Sequence, residues 1–194
     1  EIADNMENTS TQDFIKKVVE NVPQDWINLT THRLDIYNES QAKSQFLEQF
    51  EDLFNSNNAN VDALNALPTA FDYIRLGHPL SCVLEWLVAK KHDLKADQAI
   101  SFSSKPTPIM AVLRKNLLYG KNTLIAFKDQ LPDCFDVEAL KQVYGYQFDL
   151  QQVESEEEIM DFEGSIVFIS EKQNVCDFEL GSKADFLVNT NSEL

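Results

Sequence analysis

Basic residues are scarce in this 194-residue chain: 16 Lys and Arg stand against 32 Asp and Glu, for a net charge of −16. That balance repels phosphodiester backbones and anionic headgroups, which sets nucleic-acid and membrane-surface binding aside. Cysteine is rarer still. Cys82, Cys134 and Cys176 are an odd number without a CxxC spacing, so neither a disulfide framework nor a zinc site is supported, and idle or buried thiols in a reducing compartment are the plain reading. No apolar run approaches the roughly 20 residues that span a bilayer. The opening EIADNMENTSTQ has neither the basic nor the apolar region of a secretion signal. A cytoplasmic protein without a membrane span is expected. His32, His78 and His92 share no ligand spacing, so no metal is expected. Absent too are G-x-S-x-G, the phosphate-binding loop and G-x-G-x-x-G. Residue 1 is Glu rather than Met, and the expectation is a piece of a longer chain.

What is present suffices for a core, since 43% of the residues are hydrophobic. TQDFIKKVVENV at 11–22 places Phe14, Ile15, Val18, Val19 and Val22 at helical spacing before Pro23. Residues 39–54 predict a second amphipathic helix with Ala42, Phe46, Leu47, Phe50, Leu53 and Phe54 on one face. NSNNAN at 55–60 predicts an exposed loop and an internal boundary, which gives a helical extension over 1–60 and an α/β domain over 61–194. A short helix is expected in VDALNALPTA, and a further one over 80–91. The strand QAISFSS at 98–104 follows, then a helix over 106–119 opened by a proline, where the missing N–H is least costly. The alternation continues with strand 123–127, helix 136–145, strand 147–153, an acidic helix over 155–162 and strand 165–170; FLVNT is a further strand candidate. Strands separated by helical stretches of this length predict parallel βαβ units, and hence a layered α/β fold.

The stretch FDYIRLGHPLSCVLEWLVA at 71–89 carries the most specific pattern. By residue chemistry alone, Tyr73-Ile-Arg75-Leu-Gly77-His78-Pro79 is a turn offering a phenol donor and a guanidinium fork, both suited to phosphate. The alternative is a structural Gly-Pro turn with Arg75 paired to an acid. The segment resembles the Y-x-R-x-G-N-P-T…LE motif of the Cys/Met-metabolism family of pyridoxal-phosphate enzymes, the transsulfuration group of cystathionine synthases and lyases. The likeness continues in register through Leu84-Glu85, Ala99-Ile-Ser101-Phe-Ser103-Ser104 and Leu117-Leu-Tyr-Gly120, and spans roughly residues 70–175. It implies a layered α/β/α fold with a mainly parallel sheet, incomplete at this length, and a homo-oligomer. In such enzymes the Tyr and Arg reach the cofactor phosphate of a neighbouring subunit. On this likeness Tyr73, Arg75, Ser103, Ser104, Lys105, Asp129 and Asn174 would line a pyridoxal phosphate site, and the parent reaction would be elimination or replacement on an amino-acid substrate.

The likeness has three departures. The family's Gly-Met turn reads Ser103-Ser104-Lys105-Pro106 here, and Pro106 and Pro108 remove two N–H donors from the helix's first turn. Leu131-Pro132 stands where the family has the Tyr-Gly whose ring stacks on the pyridine. The chain ends before the family's Schiff-base lysine, and Lys183 arrives too early to take that place. The expectation is therefore a portion or shortened relative of such a lyase or transferase without catalysis of its own. A non-catalytic assembly or regulatory module, or an unrelated small-ligand or protein-binding domain, is the alternative. The run Glu156-Glu157-Glu158 reads as a solvated helix face, and Cys82 as a buried small hydrophobe rather than a nucleophile.

Overall fold

The computed structural model describes residues 2–27, 40–68, 78–133, 135–171 and 177–190. The chain divides into two compact units, Glu1–Ser101 and Phe102–Leu194. The 55–60 segment, where the sequence placed a boundary, is a turn inside the first unit, and it passes through a left-handed residue at Asn57.

The first unit is helical. It comprises α1 (Ile2–Glu20), α2 (Gln24–Ile27), a π-helical turn at Ser40–Gln45 that runs into α3 (Phe46–Asn55), α4 (Val61–Asn65) and α5 (Pro79–Lys91). Asn60 caps α4 by accepting from the Ala63 N–H at 2.8 Å, satisfying one of the donors a helix start leaves orphaned. Helical periodicity brings Phe14 and Val18 of α1 and Phe46, Leu47 and Phe50 of α3 into one core with Trp26, Leu64, Cys82 and Trp86. Trp86 meets Phe50 edge to face at 5.1 Å and lies tilted against Phe54 at 5.1 Å, and Phe14 meets Phe50 edge to face at 5.6 Å. Burying each such ring stabilises by about 1.5–3 kcal/mol, and the quadrupolar contacts add to that.

The second unit contains α6 (Pro106–Leu118), β1 (Thr123–Phe127), α7 (Val137–Gln142), β2 (Phe148–Gln152), β3 (Ser165–Glu171) and β4 (Phe186–Thr190). The four strands form one all-parallel sheet in the order β2-β1-β3-β4, so the α/β class expected from the sequence holds. The two central strands, TLIAF and SIVFIS, are buried along nearly their whole length. Successive side chains point to opposite faces, which sorts the core in two. Ile125, Val167, Ile169 and Val188 face α6 and α7, where Ile109, Leu113 and Leu140 cover them. Leu124, Ala126, Ile166 and Phe168 face the other way and are covered by Val153, Ile159 and Phe162.

Two expectations fail locally. Residues 98–104 form no strand: a single 3-10 turn, Ala96–Gln98, is followed by irregular backbone with Ile100 and Phe102 exposed. The segment is held by a side chain rather than by a strand neighbour, because Ser101 donates both its N–H and its hydroxyl to the Glu85 carboxylate, at 2.7 and 2.9 Å. The acidic helix expected over 155–162 is one 3-10 turn, Glu156–Glu158. There the Glu156 carboxylate accepts the N–H groups of Lys183 and Ala184, both at 2.8 Å, so it anchors a loop instead of lying on a solvated helix face. Helix propensity yields to these tertiary bonds.

At the amino ends of the strands, buried Asn116 of α6 donates to the Thr123 hydroxyl at 2.8 Å and accepts from the Ser165 hydroxyl at 3.3 Å, joining α6 to β1 and β3. Beside it the Ser165 N–H donates to the Asn122 carbonyl at 3.0 Å. Gly164 makes that approach feasible: its φ is 155°, and a Cβ there would collide with the Asn122 carbonyl and the Phe162 ring. Gly164→Ala is therefore expected to destabilise the second unit by about 2–3 kcal/mol, because backbone rather than a flexible side chain must give way. Urea unfolding checks this, and an unchanged midpoint would contradict the packing described.

Candidate functional site

In an open parallel sheet the strand order reverses where one crossover runs left and the next runs right, and ligand sites form outside the carboxyl ends of the strands at that point. Here the reversal lies between β1 and β3. A cleft of about 60 Å³ opens there, lined by Lys105, the loop residues Asp129 to Asp133, Ile169 and Glu171 of β3, and Thr190 at the end of β4. The β1 loop is tied in place by Gln152, whose amide donates to the carbonyls of Lys128 and Asp129, each at 3.2 Å.

Of the residues singled out in the sequence, Lys105 and Asp129 meet in this cleft, and Leu131-Pro132 lines it. Ser103 and Ser104 are exposed in the turn before α6. Tyr73, Arg75 and Asn174 lie outside the described residues. The sequence reading missed Glu171, Asp133 and Thr190. Glu171 carried a usable signal, since it is the charged residue that ends the buried strand SIVFISE, at the carboxyl end where parallel strands present their sites.

The charges in this cleft are opposite to those a phosphate needs. Lys105 Nζ lies 3.7 Å from Glu171 Oε1, so the cation nearest the start of α6 faces a carboxylate of the same chain. Both side chains are well exposed, and the pair adds little to stability. Its consequence is electrostatic, because with Asp129 and Asp133 the cleft is lined by three acidic residues and one lysine. The helix start is also poor in donors. Lys105 provides no side-chain cap, and prolines at 106 and 108 supply no N–H, leaving those of Thr107 and Ile109. The described residues of the cleft do not fit the phosphate of pyridoxal phosphate.

The first unit holds a second polar constellation. Glu85, only 7% exposed on the buried face of α5, pairs with Lys43 Nζ at 2.8 Å and accepts the two Ser101 bonds. Lys43 also donates to the Ala99 carbonyl at 3.3 Å. The glutamate thus joins the π-helical turn, α5 and the 99–101 segment. Cys82, one turn earlier and buried, has its thiol pushed up to about 11 by burial, with the Glu85 charge adding and the Lys43 ammonium opposing. It is a thiol and not a thiolate at neutral pH, in keeping with the reading of a buried hydrophobe. His78 caps α5: the Leu80 N–H donates to its Nδ1 at 3.0 Å, which requires that nitrogen to be unprotonated. Burial holds the imidazole pKa below its ordinary value, partly opposed by the neighbouring Trp26 backbone.

Lys183 belongs to neither constellation. It precedes β4, whereas the cleft lies beyond the other end of that strand, and its Nζ donates to the Ile159 carbonyl at 2.6 Å. Among the described residues no group of three or more His, Cys, Asp or Glu side chains is placed to hold a metal ion, and no helix is long and apolar enough to cross a membrane. No protein-family model matches the chain, and no curated protein or solved structure matches it either.

Two outcomes follow. Glu85→Ala leaves Lys43 without its carboxylate and Ser101 without its acceptor and is expected to cost about 2–4 kcal/mol in urea unfolding, with Glu85→Gln falling between it and the parent. A cost below that of an ordinary surface substitution would contradict the network. For His78, the folded state binds its proton more weakly than the unfolded state does. Its contribution is present above the ordinary pKa of about 6.5 and is lost as pH falls through the lowered folded value. Stability measured from about pH 7.5 down to about pH 5 should fall more steeply for the parent than for His78→Asn, which keeps a capping side chain without titrating. Parallel profiles would contradict this.

Proposed function

We propose that this chain is a catalytically silent α/β module related to the Cys/Met-metabolism pyridoxal-phosphate enzymes, in which the position of the phosphate site survives and its chemistry does not. One observation carries the reading: at the switch point of the sheet, where a phosphate would sit against the start of α6, Lys105 is engaged by Glu171 and flanked by Asp129 and Asp133. An anion entering there would have to compete with the Glu171 carboxylate for Lys105 and remain beside two more acidic residues. The proline pair at the start of α6 and the leucine at the stacking position act in the same direction. The motif Leu84-Glu85 is explained here without a cofactor, because Glu85 is spent on Lys43 and Ser101.

The second reading is that the chain is the first portion of an active lyase or transferase acting on an amino acid, with Tyr73 and Arg75 serving a partner copy in a homo-oligomer. The in-register likeness over roughly 70–175 favours it.

Absorbance spectra of the purified chain with added pyridoxal phosphate, followed by borohydride reduction and intact-mass measurement, separate the two for this chain. The silent module is expected to show the spectrum of free cofactor and an unmodified mass. A saturable aldimine band with a single reduced adduct would overturn it.

A further inference from the structure

The charge of this acidic chain is unevenly placed. Residues 98–128 contain Lys105, Arg114, Lys115, Lys121 and Lys128 and no Asp or Glu, whereas 154–163 contains six acidic residues and no Lys or Arg. The structure puts α6 and the 154–163 segment on opposite faces of one sheet. Ile109, Val112, Leu113 and Asn116 turn α6 inward onto the face formed by Ile125, Val167 and Val188. By the helical repeat, Ala111, Arg114, Lys115 and Leu118 form its outer stripe, and all four are exposed. Cations in the last turn of a helix suit its dipole. That does not account for Leu118 at 77% exposure and Tyr119 at 74%, which leave an apolar tip among the cations.

Across the sheet, Ile159 and Val153 anchor the acidic segment. Glu154, Glu157, Glu158, Asp161 and Glu163 stand exposed around Met160, itself 45% exposed. This surface is held in shape: the Gln151 amide donates to the Glu158 carbonyl and accepts from the Met160 N–H, at 3.2 and 3.1 Å, and Lys183 ties down Ile159.

We propose that the second unit associates head to tail with a second copy of this chain, the outer stripe of α6 in one copy meeting the 154–163 surface of the other. Both surfaces carry fixed charges around an apolar centre, with opposite signs, which is the complementarity that selects a partner and sets its orientation. Polyanions such as nucleic acid meet the net charge of −16 first. At physiological salt only charges within about 8 Å act strongly across a contact, so the local match outweighs the overall repulsion between copies. The two surfaces differ, so the contact is heterologous and can repeat. The inference rests on the faces of the sheet and does not depend on whether the cleft binds a cofactor.

Sedimentation velocity at physiological ionic strength, over rising protein concentration, tests it. The parent is expected to rise in weight-average mass from one chain toward two or more. Arg114→Glu/Lys115→Glu, with two acidic faces, and Glu157→Lys/Glu158→Lys, with two basic faces, should each stay at one chain, while an equimolar mixture of the two associates. All four positions are exposed, and circular dichroism confirms that the variants fold. A parent that stays at one chain throughout, a reversed variant that still associates, or a parent that binds anionic vesicles through α6 without self-association would each overturn the proposal.

Discussion

Everything in the second unit follows from burying β1 and β3 on both faces at once. TLIAF and SIVFIS are too apolar to leave either side in water, so each side of the sheet needs a cover. The covers are of different kinds. One is the pair α6 and α7, presenting Ile109, Leu113 and Leu140; the other is the irregular 153–162 segment, which supplies Val153, Ile159 and Phe162. Parallel pairing sends every carboxyl end the same way, so the β1 loop, Glu171 and Thr190 converge on one edge. Asn116, Thr123 and Ser165 lock the opposite edge. The position of the cleft is a consequence of this arrangement.

The first unit depends on a different balance. Its aromatic core fixes how α1, α3 and α5 pack, while the polar bonds at its margin fix the connections. Trp86 donates its indole N–H to Glu51, whose carboxylate also holds Lys90 at 3.0 Å. Glu85 holds Lys43 and Ser101 in the same manner but from within. A charge that deep is tolerated because its lone pairs are taken by an ammonium, a backbone N–H and a hydroxyl. The glutamate at the end of the segment that resembles a cofactor motif therefore has a structural task of its own.

Elements with local causes were legible in the sequence. The central strands announce themselves as short continuous apolar runs, and α6 by a proline at its first position followed by apolar residues at 109, 112 and 113. What escaped was set by distant partners. Nothing in QAISFSS signals that Glu85, sixteen residues earlier than Ser101, would take its donors and keep it out of a sheet. Nothing in the acidic run signals that Glu156 would bond backbone groups twenty-seven and twenty-eight residues away, close to Gly181, where a Cβ would strike its carboxylate. The candidate site divides the same way. Lys105 and Asp129 were named by the family resemblance, whereas Glu171, the partner of Lys105 across the cleft, became visible only once β3 was placed beside β1.

The central claim is that the carboxylates of this cleft take the place an anion would need. Backbone amide resonances of Thr107 and Ile109, the donors left at the start of α6, report on that directly during titration with inorganic phosphate. The account predicts that they stay fixed in the parent chain and move in Glu171→Gln, where Lys105 is released from its carboxylate. A saturable shift of both amides in the parent would contradict it.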